Sequence, residues 1–375
     1  MKIGIITMHK VLNFGSALQA YALQRVLDCN GYDSEIIDYD FPPRSPALDS
    51  LNTTLRFWVY QLRTGTFFEK SKKRYFKQFY KHFFRLSSKR YDKQTVARVN
   101  DIYDVFLTGS DKVWNPTWIK DDTTFLLSFA ADDKPKCSYA SSFAISKIPD
   151  KYKSVYKRYL CRYRHISVRE KSGVDIVKDL IGAKPDLVLD PTLLLTDKDY
   201  QELSCQSRIQ IEGSYILVYM LSYMYNPFPD VNSIVRMVHE RMGGKVVYLG
   251  SGKFSAYSKD CICVENLGPC EFISLIENAS FVITSSFHGT AFASIFNKPL
   301  ISTVKSLDDT DGRMPTLLSL IGGEHSIVEY NATVIDLSNI ELYKCSKEKL
   351  NRQREKSTSV LLSNMSSLAW ARFYQ

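Results

Sequence analysis

At 375 residues, the chain exceeds one ordinary core and is expected to form two domains of about 150–200 residues each. A hydrophobic share of 45% with 24% charged residues excludes disordered, collagenous and disulfide-framework classes. The formal charge of +9 lies in one stretch: Arg44–Arg98 holds fourteen Lys/Arg against three acids, a local +11, so the remainder sums to −2.

In chain order, Lys2–Thr7 reads as a strand, followed by a loop to Ser16, a helix over Ala17–Cys29 and a strand over Glu35–Tyr39. The basic insertion, about 44–98, then interrupts the pattern. Within it Tyr75, Phe76, Phe79, Tyr80, Phe83 and Phe84 fall on one helical face, with Lys72, Lys73, Arg74, Lys77, Lys81 and Arg85 over much of the rest. Such a helix either packs its aromatics on its own domain and solvates its basic face, or lies on an anionic membrane surface. Nucleic acid is not expected, because no recognised binding motif accompanies the charge.

Strands over Val105–Thr108, Cys137–Phe143, His165–Val168 and Asp186–Asp190 follow, with helices near Tyr152–Tyr163 and Val174–Ile181. Thr196–Gly213 is polar and reads as a linker. A second series comprises strands Tyr215–Leu221, Lys245–Leu249, Phe281–Thr284 and Leu300–Val304, with helices Val231–Met242, Glu271–Ala279, Thr290–Phe296 and Leu317–Ile321. Ser346–Phe373 reads as a helical tail able to pack back across the junction. This alternation predicts an α/β protein of two Rossmann-like doubly wound domains facing a cleft, over 1–195 and 196–345, with a tail at 346–375. The eight cysteines show no Cys-x-x-Cys pair and are expected as buried free thiols. Cys261, Cys263 and Cys270 have no nearby His as a fourth ligand, so no metal is expected there. No apolar run reaches the ~18 residues of a membrane span, and Lys2–Thr7 is too short for a signal-peptide core, which predicts a cytoplasmic protein.

In doubly wound sheets, ligands bind outside the carboxyl ends of strands, so the motifs there carry the chemistry. Met8–Ser16 joins the first strand to a helix, with Gly15 for a tight turn and Ser16 for a cap; its free amides suit an anion, or it is a plain capped turn. It lacks the dinucleotide Gly-x-Gly-x-x-Gly pattern. In Thr108–Pro116, Asp111 can accept a proton from a sugar hydroxyl and Trp114 can stack on a sugar face; the alternative is a capped turn with a packed Trp. Arg169 ends a strand, where its planar fork suits a carboxylate or phosphate, or forms a structural ion pair with an acid such as Asp190. In Thr284–Thr290, His288 sits at a helix start, where positive potential favours a neutral imidazole ready for proton transfer, and Ser285, Ser286 and the helix amides suit phosphate oxygens. Asp309-Thr310-Asp311 has the spacing of a metal-nucleotide site but also reads as a surface loop, while the nearby Arg313 can serve as an anion ligand. Gly250-Ser251-Gly252-Lys253 does not fit the phosphate-loop pattern and is a weak candidate anion turn.

Asn13-Phe14-Gly15-Ser16-Ala17-Leu18-Gln19, Gly109-Ser110-Asp111-x-x-Trp114-Asn115-Pro116, Ser167-Val168-Arg169-Glu170, Asp190-Pro191-Thr192 and Ser286-Phe287-His288-Gly289 occur in this order. Together they resemble the polysaccharide pyruvyl transferase family over roughly residues 1–322. The resemblance implies a fold similar to GT-B glycosyltransferases, phosphoenolpyruvate as co-substrate and no cofactor or metal. It implies transfer of a pyruvyl unit onto sugar hydroxyls of a polysaccharide or its precursor, with a ketal formed and phosphate released. His288 and Asp111 are then the expected catalytic pair. Arg169, Arg313, Ser285, Ser286 and Gly289 are expected on the donor side, and Asn13, Gly15, Ser16, Gly109, Ser110, Trp114 and Asn115 on the acceptor side. Better-understood members carry an Arg two residues before the motif His; here Ser286 stands there, which shifts anion binding to Arg169 and Arg313. If acceptors are lipid-linked, the basic insertion is where the protein meets the inner membrane surface. The alternatives are a nucleotide-sugar glycosyltransferase of the same shape and a non-catalytic sugar- or lipid-binding homologue.

Overall fold

The computed structural model describes residues 1–41, 68–221, 225–250, 260–307 and 312–370. The first part of the basic insertion, the Asp309-Thr310-Asp311 triplet, Ser251–Lys253 and the end of the tail lie outside them.

Two parallel sheets organise the chain. The first contains β1 (Lys2–Ile6), β2 (Asp33–Tyr39), β3 (Leu86–Tyr91), β4 (Val105–Thr108) and β5 (Lys136–Ser138), in the order β3-β2-β1-β4-β5. A short ladder of β6 (Ser167–Val168) and β7 (Asp186–Leu187) continues beside β5 through bridges at Cys137–His165 and Ser141–Val168. The second sheet contains β8 (Tyr215–Tyr219), β9 (Lys245–Leu249), β10 (Ile262–Val264), β11 (Phe281–Thr284), β12 (Leu300–Val304) and β13 (Ile327–Glu329), in the order β10-β9-β8-β11-β12-β13. Central strands such as β4, β8 and β11 are buried along their whole length because helices cover both faces, so they read as unbroken apolar runs. This is the expected α/β, doubly wound arrangement.

The differences fall where the apolar signal is weak. The edge strands β3, β10 and β13 were not foreseen; each has partly exposed positions, which removes the apolar run. The strand expected over Cys137–Phe143 ends at Ser138, after which Ala140 and Ala144 take positive φ values and the chain departs from the ladder. The Thr196–Gly213 segment contains a helix, Asp197–Ser204, started by reciprocal bonds between Thr196 and Asp199. The helix beginning at Phe14 is opened by Asn13, whose side chain accepts from the Ser16 amide at 3.2 Å.

The halves are joined by aromatic rings. Phe14 stacks on Phe272 of the second half at 4.7 Å and 9°, and on Phe76 of the basic helix at 5.6 Å. That helix, Phe68–Phe83, buries Phe76 and Phe79 in the same core as Tyr21, while Lys73, Arg74, Lys77 and Lys81 are exposed. Its aromatic face is therefore internal, as the packing alternative has it, and is not available to a bilayer. The helix Lys347–Trp370 lies back on the first half: Arg354 Nε donates to the Leu193 carbonyl at 2.8 Å and Ser357 Oγ accepts from the Leu189 amide at 3.0 Å. Among the described residues, no helix is long and apolar enough to cross a membrane.

Because Phe14 belongs to both halves' packing, Phe14→Ala should cost about 3–5 kcal/mol, the usual range for a buried Phe truncation. Denaturant unfolding will read this as a lower midpoint. A loss below about 1 kcal/mol would show that the ring stack does not join the halves.

Candidate functional site

The site is built where β4, β6 and β11 end. After β4, a Cβ on Gly109 would stand 2.1 Å from the Tyr139 carbonyl oxygen, so only glycine lets the backbones approach this closely. Ser110 follows, fully buried; its amide donates to Gln19 Oε1 at 3.0 Å and its hydroxyl donates to the Ala140 carbonyl at 2.7 Å. This anchoring aims Asp111 at the junction between the halves.

Asp111 Oδ2 accepts from Ser16 Oγ at 3.0 Å, and Oδ1 from Arg169 Nη2 at 3.0 Å. The same guanidinium donates through Nη1 to Asp190 Oδ2 at 2.7 Å and lies 4.3 Å from the Phe287 ring centroid of the second half. Burial alone would raise both carboxyl pKa values. Arg169, with His288, Lys112 and Arg313, more than offsets this at Asp111 and holds it well below the usual carboxylate range. Asp190 is held low in the same way, chiefly by His288 and Arg169. Glu170, buried behind them, takes the amides of Phe143 at 2.7 Å and Ala144 at 3.0 Å, and burial pushes its pKa up.

From the second half, Ser286 opens the Phe287–Ile295 helix by accepting from the Gly289 amide at 3.2 Å. One residue into this helix, His288 is buried with Nε2 3.7 Å from Asp190 Oδ2. The imidazole occupies the space a side chain would need at Gly15: a Cβ there would stand 1.9 Å from Nδ1. The resulting cleft, about 170 Å³, is lined by Asn13, Ser16, Asp111, Lys112, Trp118, Ser286, Phe287, His288 and Arg313 among others. It offers a carboxylate, an imidazole and two cations within one space between the halves.

Several sequence-based expectations change here. Trp114 cannot stack on a sugar: it is 0% exposed, packed on Phe143 and Tyr163, with Nε1 donating to the Phe125 carbonyl at 3.1 Å. The exposed indole at the cleft is Trp118, 46% exposed, with Lys112 Nζ 5.2 Å from its ring. Asn115 is not a ligand contact, because its carbonyl caps the amides of Thr117 and Trp118 and its Nδ2 donates to the Phe143 carbonyl. Gly109 and Ser110 lie buried beneath the floor, next to Asp111 in the chain, and do not line the cleft. Arg169 is 3% exposed and divided between two carboxylates, which is the ion-pair alternative rather than an open anion site. Ser285 ties strand ends together, its hydroxyl accepting from the Leu221 amide at 2.7 Å. Gly289 contributes its amide to the helix cap. Sequence reading missed Lys112 and Trp118. The first stands at an unassigned position of the Gly-Ser-Asp-x-x-Trp motif, and the second follows Trp114 by four residues, the only signals that could have singled them out.

A family model for polysaccharide pyruvyl transferase matches residues 13–304. No curated protein matches the sequence. Among solved structures, the chain is similar to a UDP-GlcNAc 2-epimerase from Neisseria meningitidis bound to UDP-GlcNAc, with TM-score 0.58 and 9% identity over 97% of this chain and 100% of that one. It is also similar to a UDP-GlcNAc 2-epimerase from Methanocaldococcus jannaschii, with TM-score 0.51 and 12% identity over 95% and 92%. A third likeness is Arabidopsis thaliana UGT89C1 complexed with UDP-L-rhamnose, with TM-score 0.50 and 9% identity over 98% of each chain. At these identities the likeness is one of fold: a GT-B-like pair of Rossmann-like halves.

Removing the guanidinium should expose the cost of two buried carboxylates. Arg169→Met should lose about 3–5 kcal/mol near neutral pH, because Asp111 and Asp190 are left unpaired. In the wild type, their depressed pKa values contribute stability that is fully present above the ordinary carboxyl value of 3.8 and is lost progressively as pH falls from there through their much lower folded-state values. In the variant the unpaired carboxylates protonate more readily, so the deficit should shrink by about pH 5. A deficit independent of pH, measured by denaturant unfolding, would contradict this electrostatic account.

Proposed function

The chain belongs to the polysaccharide pyruvyl transferase family, and on that premise we propose that it moves the pyruvyl group of phosphoenolpyruvate onto hydroxyls of a sugar acceptor, forming a cyclic ketal and releasing phosphate. The observation that supports this reading is the convergence of Asp111, His288, Lys112 and Arg313 on one cleft between the halves. Phosphoenolpyruvate carries a carboxylate and a phosphate, and so needs at least two cationic or helix-end sites. With Arg169 neutralised by two carboxylates and Ser286 serving as a helix cap, Arg313 and Lys112 take that duty.

The chemistry balances on these groups. A proton from His288 adds to the donor's methylene carbon, leaving an oxocarbenium-like centre at the neighbouring carbon. A sugar hydroxyl attacks that carbon, a second hydroxyl closes the ketal, and the carbon–oxygen bond to phosphate breaks. Of the two hydroxyl protons, one replaces the proton given to the methyl group and the other leaves with phosphate. Asp111 stays ionised, which makes it a weak base but a strong hydrogen-bond acceptor; it orients the attacking hydroxyl and faces the developing positive charge.

Phosphate release from phosphoenolpyruvate with a panel of sugar acceptors tests this directly. Folded His288→Ala should lose about 10²–10⁴-fold in turnover. Arg313→Ala should raise KM for the donor by about 10–100-fold, the range for one lost charge-assisted bond. Wild-type turnover in His288→Ala, or thermal protection by UDP-sugars with none by phosphoenolpyruvate, would overturn the proposal.

A cytoplasmic location and a lipid-linked acceptor belong to the same proposal. The exposed basic stripe of Arg74, Lys77 and Lys81 supports them by offering contact to an anionic membrane surface without insertion, at about 1 kcal/mol per basic residue at low salt. Vesicles containing phosphatidylglycerol should bind the wild type and release the Lys77→Glu/Lys81→Glu variant. Equal binding of both, or equal binding to neutral vesicles, would remove the membrane role.

A further inference from the structure

We propose that Asp190 is the positioning residue for His288, holding its imidazole from across the junction so that Nε2 carries a proton toward Asp190 and Nδ1 exchanges protons with substrate. Its role in turnover rests on the pyruvyl-transfer reading; its role in setting the tautomer does not.

Three observations point to it. Among the described residues, His288 Nε2 is shut off from solvent with no hydrogen-bond partner, and Asp190 Oδ2 stands 3.7 Å away. An approach of a few tenths of an ångström by the two halves brings this pair to hydrogen-bond distance. Asp190 is itself anchored by hydrogen bonds on both oxygens. Its Oδ1 accepts from the Thr192 amide at 3.0 Å and the Thr192 hydroxyl at 2.8 Å, while Oδ2 accepts from Arg169 at 2.7 Å. The opposite edge of the ring is fixed by Gly15, where a side chain would collide with Nδ1. Asn13 and Ser16, flanking Gly15, line the cleft.

A neutral imidazole has one nitrogen donor and one acceptor, and the hydrogen bond made by one nitrogen decides the state of the other. An ionised carboxylate beside Nε2 accepts a proton and offers none, so it selects the Nε2–H form. It also stabilises the imidazolium that must exist before Nδ1 hands a proton to the donor's methylene carbon. Among the described residues, Asp111, Lys112 and Arg313 line the same cleft as the ring. Arg169 binds Asp190 and Asp111 at once, so one guanidinium sets both the carboxylate behind His288 and the carboxylate facing the acceptor. Because the imidazole comes from one half and both of its supports from the other, the proton-transfer geometry exists only when the halves are together.

The test combines tautomer detection with kinetics. In protein labelled with 15N-histidine, signals absent in His288→Gln identify His288, and the wild type should show its neutral ring as the Nε2–H form. Asp190→Asn should remove that preference and lower kcat for phosphate release by about 10²–10⁴-fold while changing KM for phosphoenolpyruvate little. Asp190→Glu should restore part of both. An Nδ1–H form in the wild type, or an unchanged tautomer and kcat in Asp190→Asn, would overturn the proposal. If Asp190→Asn fails to fold, the wild-type spectrum and Asp190→Glu decide it. If the wild type releases no phosphate yet shows the Nε2–H form, the donor reading fails and the role of Asp190 in setting the tautomer stands.

Discussion

The charged part of the junction is organised by the Arg169 guanidinium. It holds Asp111 and Asp190 in its plane and meets Phe287 of the other half on its face. A buried ion pair of this kind adds little net stability, because desolvation of the charges offsets their attraction. Its consequence is order. With Arg169 in place, two buried carboxylates stay ionised and fixed; without it, each loses a charge partner at hydrogen-bond distance. The Ser-Val-Arg-Glu strand end is therefore best understood as the base of the site, one layer beneath the groups that line the cleft.

The basic insertion serves two environments with one helix. Its aromatic face completes the core between the halves, where Phe76 and Phe14 stack, and Tyr80 donates to the Val11 carbonyl in the loop beside the cleft. Its charged stripe remains in water. The net charge of the chain thus reports a surface, while the aromatic content of the same segment reports packing. A helix built this way ties the loop ending at Asn13, and the helix start carrying Ser16, to both halves, so the site wall and the junction are parts of one packed unit.

Much of the architecture was legible because buried parallel strands write continuous apolar runs and their covering helices write a 3.6-residue period. Val105–Thr108, Lys245–Leu249, Phe281–Thr284 and Leu300–Val304 were readable to the residue for that reason. Edge strands and the Asp197–Ser204 helix were not, since a half-exposed element carries half the signal. In the site, Asp111, His288, Arg313, Asn13 and Ser16 were identifiable from motifs at strand ends and do line the cleft. Trp114 and Asn115 were misjudged because sequence cannot say which way a side chain turns: one fills the core beneath the cleft and the other caps a helix four residues long.

What the sequence determined by itself is local: the alternation of strands and helices, and the presence of acids, cations and a histidine at strand ends; that Asn13 rather than Ser16 caps the first helix, and that Ser286 caps a helix, came from the structure. Only the tertiary structure decided which of these groups share a space. Arg169 could have faced an anion or an acid, and the choice was made by Asp111 and Asp190, 58 and 21 residues away along the chain. Gly15 looked like a turn residue, yet its lack of a side chain is required by His288, which packs against it from the other half. Such choices depend on burial and on which charges lie within a few ångströms, and those are properties of the packed chain, not of neighbours in sequence.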